Sequence, residues 1–138
     1  MIELADTEEK LRDCFPVMAQ LRAHLDLDSF LKKVAQQAEA GYRVAYLKAD
    51  DKVVAVAGIR VSRNLAWGKF LYVDDLITDE TERSKGYGKQ CLDWLISYAK
   101  ENDCAQLHLD SGVQRKNAHR FYGREGMTFT GHHYAINL

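Results

Sequence analysis

An α+β (mixed α/β) fold is predicted by three features of the sequence. Two segments of helical period open the chain, three segments rich in β-branched and aromatic residues follow them closely, and two further helix-like segments then alternate with short strands. The 138 residues are enough for one domain, expected to span 1–138, and enough to bury a core without disulfides or metal. A composition of 46% hydrophobic and 28% charged residues is that of an ordinary globular protein and speaks against disorder or a fibre. With 19 basic against 20 acidic residues, neither nucleic acid nor an anionic membrane is implied as a partner.

The first third reads as a short strand followed by two helices. Asp6 or Thr7 can cap the first, Glu8 and Glu9 suit its electropositive first turn, and Leu11, Phe15, Met18 and Ala19 recur at near-helical spacing. Asp28 or Ser29 is expected to cap the second, which carries Phe30, Leu31, Val34, Ala35 and Ala38 and would end at Gly41. The period then changes. Residues 42–48, 53–61 and 70–78 read as an antiparallel meander, with a turn at Asp50-Asp51 and a looser one across residues 64–68. A helix over 86–102 follows, with Cys91, Leu92, Leu95, Ile96 and Ala99 on one face. Residues 106–109 read as a strand, 115–124 as a helix, and 127–137 as one or two closing strands, whose exposure would favour a homodimer.

The stretch richest in chemistry runs from Val73 to Lys89, where a strand enters a loop that opens a helix near Gly86. Without a Cβ, Gly86 and Gly88 let the backbone turn tightly and lie against a bulky anion. First-turn amides lack intrahelical partners, and the helix dipole favours negative charge there. Arg83, Lys85 and Lys89 add positive charge around the same turn. The pattern suits a pyrophosphate, yet no Walker A loop is present, and Cys91 stands where a dinucleotide fingerprint needs its third glycine.

Arg83-Ser84-Lys85-Gly86-Tyr87-Gly88 resembles the Arg/Gln-x-x-Gly-x-Gly/Ala signature of the GCN5-related N-acetyltransferases. Downstream, Ala118-His119-Arg120-Phe121-Tyr122-Gly123-Arg124-Glu125-Gly126-Met127 is similar to that family's Ala-x-x-Phe/Leu-Tyr-x-x-x-Gly-Phe element. The resemblance implies an acyl-CoA N-acyltransferase-like fold, with a mostly antiparallel sheet that splays to admit acetyl-CoA as co-substrate, and no metal. It implies an enzyme that moves an acetyl group to a primary amine by direct attack in a ternary complex. Amides at Leu76, Ile77 and Thr78 would meet the thioester and pantetheine arm, and those from Ser84 through Lys85, Gly86, Tyr87 and Gly88 to Lys89 would hold the pyrophosphate.

Tyr122 stands where that family keeps its general acid, and a phenol protonated at pH 7 can donate to a departing thiolate. Asp74 and Asp75, placed by strand alternation on opposite faces, form an acidic pair like that of the small-amine acetyltransferases; Asp74 takes the position of their glutamate and would anchor or deprotonate the amine. The chain departs from the pattern at Glu80, where a proline is common, at Thr78, where a valine is, and at Arg115, which replaces an asparagine. Arg115 either contacts coenzyme A or begins its helix on the surface.

Other chemistries find no support. Cys14, Cys91 and Cys104 have no CxxC spacing and read as buried thiols of a reducing compartment, here the cytoplasm; the acidic N-terminus lacks a signal-peptide pattern. His108, Asp110 and Ser111 lack a nucleophile elbow, and His132-His133 lacks metal-ligand spacing. Trp67 and Trp94 read as packing aromatics. A coenzyme-A-binding regulatory or interaction module without turnover is the alternative function, and a nucleotide-phosphate binder a third. The acceptor is left open between a small-molecule amine and a protein amine.

Overall fold

Five strands form one sheet in the order β1-β2-β3-β4-β5, in a computed structural model that describes residues 1–138: β1 (Ile2–Leu4), β2 (Tyr42–Ala49), β3 (Lys52–Asn64), β4 (Gly68–Thr78) and β5 (Gln106–Leu109). The sequence places all five. β1 to β4 pair antiparallel. Asp50 (φ 51°) and Asp51 (φ 60°) both take left-handed conformations, which gives the β2–β3 hairpin a two-residue turn of the twist its strands require. Aspartate tolerates that region better than most residues because its short carboxylate bonds locally.

Strand alternation divides the sheet into two apolar faces. One face buries Val44, Tyr46, Val56 and Ile77 against Cys14, Val17 and Met18 of α1 (Glu8–Leu21) and Phe30 of α2 (Leu27–Ala38). The other sets Leu47 and Ala55 against Cys91 of α3 (Tyr87–Glu101). Thr7 caps α1, its hydroxyl accepting from Lys10 N–H. The expected cap of α2 is corrected: Asp26, not Asp28 or Ser29, begins that helix. Asp26 Oδ1 accepts from Ser29 N–H at 2.8 Å and Ser29 Oγ accepts from Asp26 N–H at 3.0 Å, a reciprocal capping box that satisfies two otherwise orphaned donors.

From β4 the chain crosses back through α3 to β5, where Ala105 N–H donates to the Lys69 carbonyl at 2.8 Å. Both strands therefore start at the same end, as a helical crossover to a parallel neighbour demands. β5 has four residues and β4 has eleven, so β4 runs on well past the length that β5 can pair.

The chain divides into two compact units, residues 1–108 and 109–138. The second holds α4 (Lys116–Arg124). Its end is closed by Gly126 (φ 93°), whose N–H donates to the Gly123 carbonyl while Met127 N–H reaches the Tyr122 carbonyl. This is a Schellman cap, in which the left-handed position favours glycine. The closing strands expected over 127–137 are not formed. Tyr134, Ile136 and Leu138 do alternate, but they lie exposed, and alternation without a ladder partner does not hold a strand.

Candidate functional site

Where β3 and β4 pair, the register slips by one: Gly58 lies opposite Asp75, and Ile59 opposite Val73. Asp74 is the extra residue of a β-bulge. The bulge overturns the expected opposite orientation of the two aspartates, because it turns both carboxylates toward the α1–α2 side. Asp74 accepts two bonds from Arg60, at 2.6 Å from Nε and 3.0 Å from Nη2, and the Arg60 guanidinium also covers the Tyr72 ring. Asp75 accepts from the Tyr42 hydroxyl at 2.6 Å and from Arg22 Nε at 2.8 Å, and its side chain is only 11% exposed. Arg22, just past the end of α1, also donates to the Asp74 carbonyl at 2.9 Å, tying helix and bulge together. Asp75, Tyr42 and Arg22 line a cavity of about 310 Å³ between the sheet and the ends of α1 and α2.

The edge of β4 beyond the bulge carries backbone donors. Asp79 N–H donates to Val54 at 2.8 Å, so alternation sends the amides of Ile77 and Asp79 to β3 and those of Leu76 and Thr78 the other way. Of the three residues expected to meet a thioester, Ile77 thus spends its amide on the ladder and its side chain on the core, while Leu76 and Thr78 present theirs at the edge.

The loop after β4 is held from two sides. Asp79 accepts from Thr81 N–H at 3.1 Å and from Gln20 Nε2 at 3.3 Å, and Lys52 lies 3.4 Å from it. Gln20 Oε1 also accepts from Glu80 N–H, which fixes the single 3₁₀ turn Glu80–Glu82 to α1. These bonds hold the Asp79 carboxyl down at about 2, the backbone donor at Thr81 being the largest cause.

Past that turn, Ser84 (φ 67°) and Gly86 (φ 83°) are left-handed, and the chain enters α3 with no side chain capping its first amides. A Cβ at Gly86 would meet nothing within 4 Å, so the backbone faces open space there. Lys85 pairs with Glu82 and Lys89 with Asp93, whereas the exposed Arg83 has no carboxylate partner. Uncapped helix amides, a concave glycine turn and one uncommitted guanidinium fit a phosphate group.

In the second unit, Tyr122 lies half-buried on α4, its ring edge-on to Phe121 at 5.4 Å. Burial raises the phenol's pKa above the ordinary tyrosine value, and the Arg115 guanidinium pulls the other way. Arg115 itself is the exposed residue that precedes α4.

The remaining candidates lie elsewhere. Burial pushes the Cys14 and Cys91 thiols up to about 12, so neither supplies a thiolate near neutrality. His108 stacks on Trp67 with ring centroids 3.4 Å apart and bonds Gln106, and Trp94 stacks on Tyr98. No group of three or more His, Cys, Asp and Glu side chains gathers to hold a metal. Sequence reasoning missed Arg22, Tyr42, Gly58 and Arg60, the residues that build the acidic site. One signal was there to be read: a glycine inside the β-branched run around Val56 marks a close approach or bulge.

A family model described as the acetyltransferase (GNAT) family matches residues 4–127. An uncharacterized N-acetyltransferase of Bacillus subtilis (strain 168), YhdJ, is 34% identical over 125 residues, which cover 90% of this chain and 87% of that protein. Among solved structures, a transcriptional regulator from Bacillus halodurans C-125 superposes with a TM-score of 0.86 at 21% identity, over 100% of this chain and 99% of that one. An aminoglycoside N-acetyltransferase, AAC(6')-Iy in complex with CoA, does so with a TM-score of 0.87 at 12% identity, over 100% and 95%. These last two likenesses bear on the fold.

Proposed function

Because the chain belongs to the acetyltransferase (GNAT) family, whose members move an acetyl group from acetyl-CoA, we propose that it acetylates a primary amine by direct attack in a ternary complex. The observation that carries this reading is the uncapped, left-handed entry into α3 beside the free donors of β4. Amides of residues 84–89 bind the pyrophosphate, and Arg83 adds charge from solvent. Leu76 and Thr78 N–H hold the pantetheine arm and stabilise negative charge on the thioester oxygen. Acetyl-CoA supplies the acetyl group as an activated thioester.

Asp75 receives the incoming ammonium. The carboxylate that the sequence nominates, Asp74, is bound by Arg60 through both oxygens, and it is Asp75, not Asp74, that lines the cavity. Tyr122 donates its hydroxyl proton to the departing sulfur, a role that rests on its motif position and on a phenol kept protonated by burial. Arg115 remains a candidate contact for coenzyme A. We treat residues 1–138 as one catalytic domain and, from its three free thiols, assign it to the cytoplasm.

Thermal unfolding with acetyl-CoA, free coenzyme A or ATP tests the donor. A ligand present at a hundred times its Kd adds about 2.7 kcal/mol and raises the midpoint by roughly 5–10 °C at this size. A rise with acetyl-CoA and none with ATP supports the reading. No rise at millimolar acetyl-CoA overturns it.

A further inference from the structure

The cavity over Asp75 carries information about the acceptor that the motifs do not. At its floor lies one carboxylate, Asp75, nearly buried and held by Tyr42 and Arg22. Each oxygen accepts one of these bonds, and a carboxylate oxygen has a second lone pair with which to meet an ammonium. Around the mouth stand Lys33 and His24, with Gln37 beside them, all three exposed and none with its side chain in a hydrogen bond or ion pair. Met18, Phe30 and Val34 supply the apolar wall between floor and mouth.

The lining thus carries one carboxylate, paired with Arg22 at the inner end, and a further cation, Lys33, at the mouth, so its excess charge is positive and lies at the outer end. Lys33 on α2 is exposed and forms no ion pair. A simple diamine or polyamine would set its second ammonium against Lys33. At about 310 Å³ the space sits at the low end of small-ligand cavities and suits a molecule of amino-acid size.

We propose that the acceptor is a small zwitterion, an amine carrying a carboxylate or comparable anion: the ammonium meets Asp75 and the anion meets Lys33 and His24. The assignment rests on the acetyltransferase reading and on Asp75 as the amine anchor. Acetyl transfer then joins the acceptor nitrogen to the acetyl carbon as the carbon–sulfur bond breaks. The ammonium first gives one proton to water so that its lone pair can attack, and the second nitrogen proton balances the one that Tyr122 gives to the thiolate, so coenzyme A, the N-acetyl acid and one net proton are the products.

The test is thiol release at saturating acetyl-CoA, using matched pairs of amines: free amino acids against their decarboxylated amines and against their carboxamides, with spermidine and putrescine alongside. The expected result is a kcat/KM for the carboxylate member about tenfold or more above its neutral partner. Lys33→Glu, an exposed helix substitution that leaves the core intact, should collapse that ratio toward one by raising KM for the acids. The proposal is overturned if carboxamides or polyamines react as well as the acids, or if Lys33→Glu leaves the ratio intact. It is also overturned if no amine of the panel reacts in a protein that acetyl-CoA still stabilises. Failure of acetyl-CoA to stabilise the protein, by contrast, strikes at the acetyltransferase reading itself.

Discussion

The Tyr42 hydroxyl donates to Asp75 Oδ2 at 2.6 Å directly over Gly58, and only a glycine allows it: a Cβ there would fall 2.0 Å from the hydroxyl oxygen and 2.3 Å from the carboxylate. Tyr42 is buried and Asp75 nearly so, which leaves little freedom to move aside. Gly58→Ala should therefore cost about 1–3 kcal/mol of stability through overpacking. It should also raise KM for the acceptor, because the displaced carboxylate loses a donor. Denaturant titration and acceptor kinetics on the same preparation check both effects, and a neutral Gly58→Ala would show that the hydroxyl–carboxylate pair yields easily.

Tyr42→Phe isolates the hydrogen bond from the steric effect. The ring still packs, while Asp75 keeps Arg22 as its remaining partner. A loss of about 1–2 kcal/mol in stability is expected, together with a higher acceptor KM and an unchanged Kd for acetyl-CoA. A change confined to acetyl-CoA binding would place Tyr42 in the wrong half of the site.

The cofactor side separates in a similar way. Gly86→Ala meets no atom within 4 Å, so its effect should be conformational: about 1–2 kcal/mol for forcing a Cβ into the left-handed region, with weaker acetyl-CoA binding as the first turn of α3 shifts. Arg83→Ala should leave stability alone and weaken acetyl-CoA by about 1 kcal/mol, an effect that fades at high salt because the side chain is exposed. Calorimetric titration at two ionic strengths distinguishes the two variants.

Asp79 sets an acid limit on the fold. Its folded pKa of about 2 lies below the ordinary value of 3.8, so the stability it contributes is fully present above pH 4 and is lost as pH falls toward 2. Asp79→Asn keeps some of the bonds to Thr81 and Gln20 but cannot titrate. Its unfolding midpoint should be lower than that of the parent at neutral pH and less sensitive to pH between 4 and 2. Parallel slopes for the two proteins would mean that another carboxylate controls acid unfolding.

What the sequence discloses and what it hides follow the range of the interactions. Helix and strand periods, the Asp50-Asp51 turn and the glycine motif are local, and each is legible from neighbours in the chain. The bulge is not: it depends on which residue of β3 faces which residue of β4. The partners of Asp75, namely Tyr42 and Arg22, lie 33 and 53 residues away. The misplaced cap of α2 has a different cause, since Asp26, Asp28 and Ser29 are all good capping types and only the reciprocal bonds select Asp26. At 127–137 the strand pattern is present in the residues and the ladder is not.

The spacing from Tyr122 to Gly126 has a structural explanation independent of catalysis, and the general-acid assignment must be separated from it. The Schellman cap uses the Tyr122 carbonyl and the left-handed Gly126, so the Tyr-x-x-x-Gly pattern would persist even with an inert ring. Tyr122→Phe leaves the carbonyl, the ring and the cap in place and removes only the hydroxyl. If the hydroxyl protonates the departing sulfur, kcat should fall by about 10²–10⁴-fold with the Kd for acetyl-CoA unchanged. The parent's activity should persist to alkaline pH and fall only above the usual tyrosine pKa of ~10, since burial raises the phenol and the protonated form is the active one. In the variant that alkaline limb should vanish. If kcat is retained and the limb remains, the motif here is a helix terminator, and the proton reaches the sulfur from another donor.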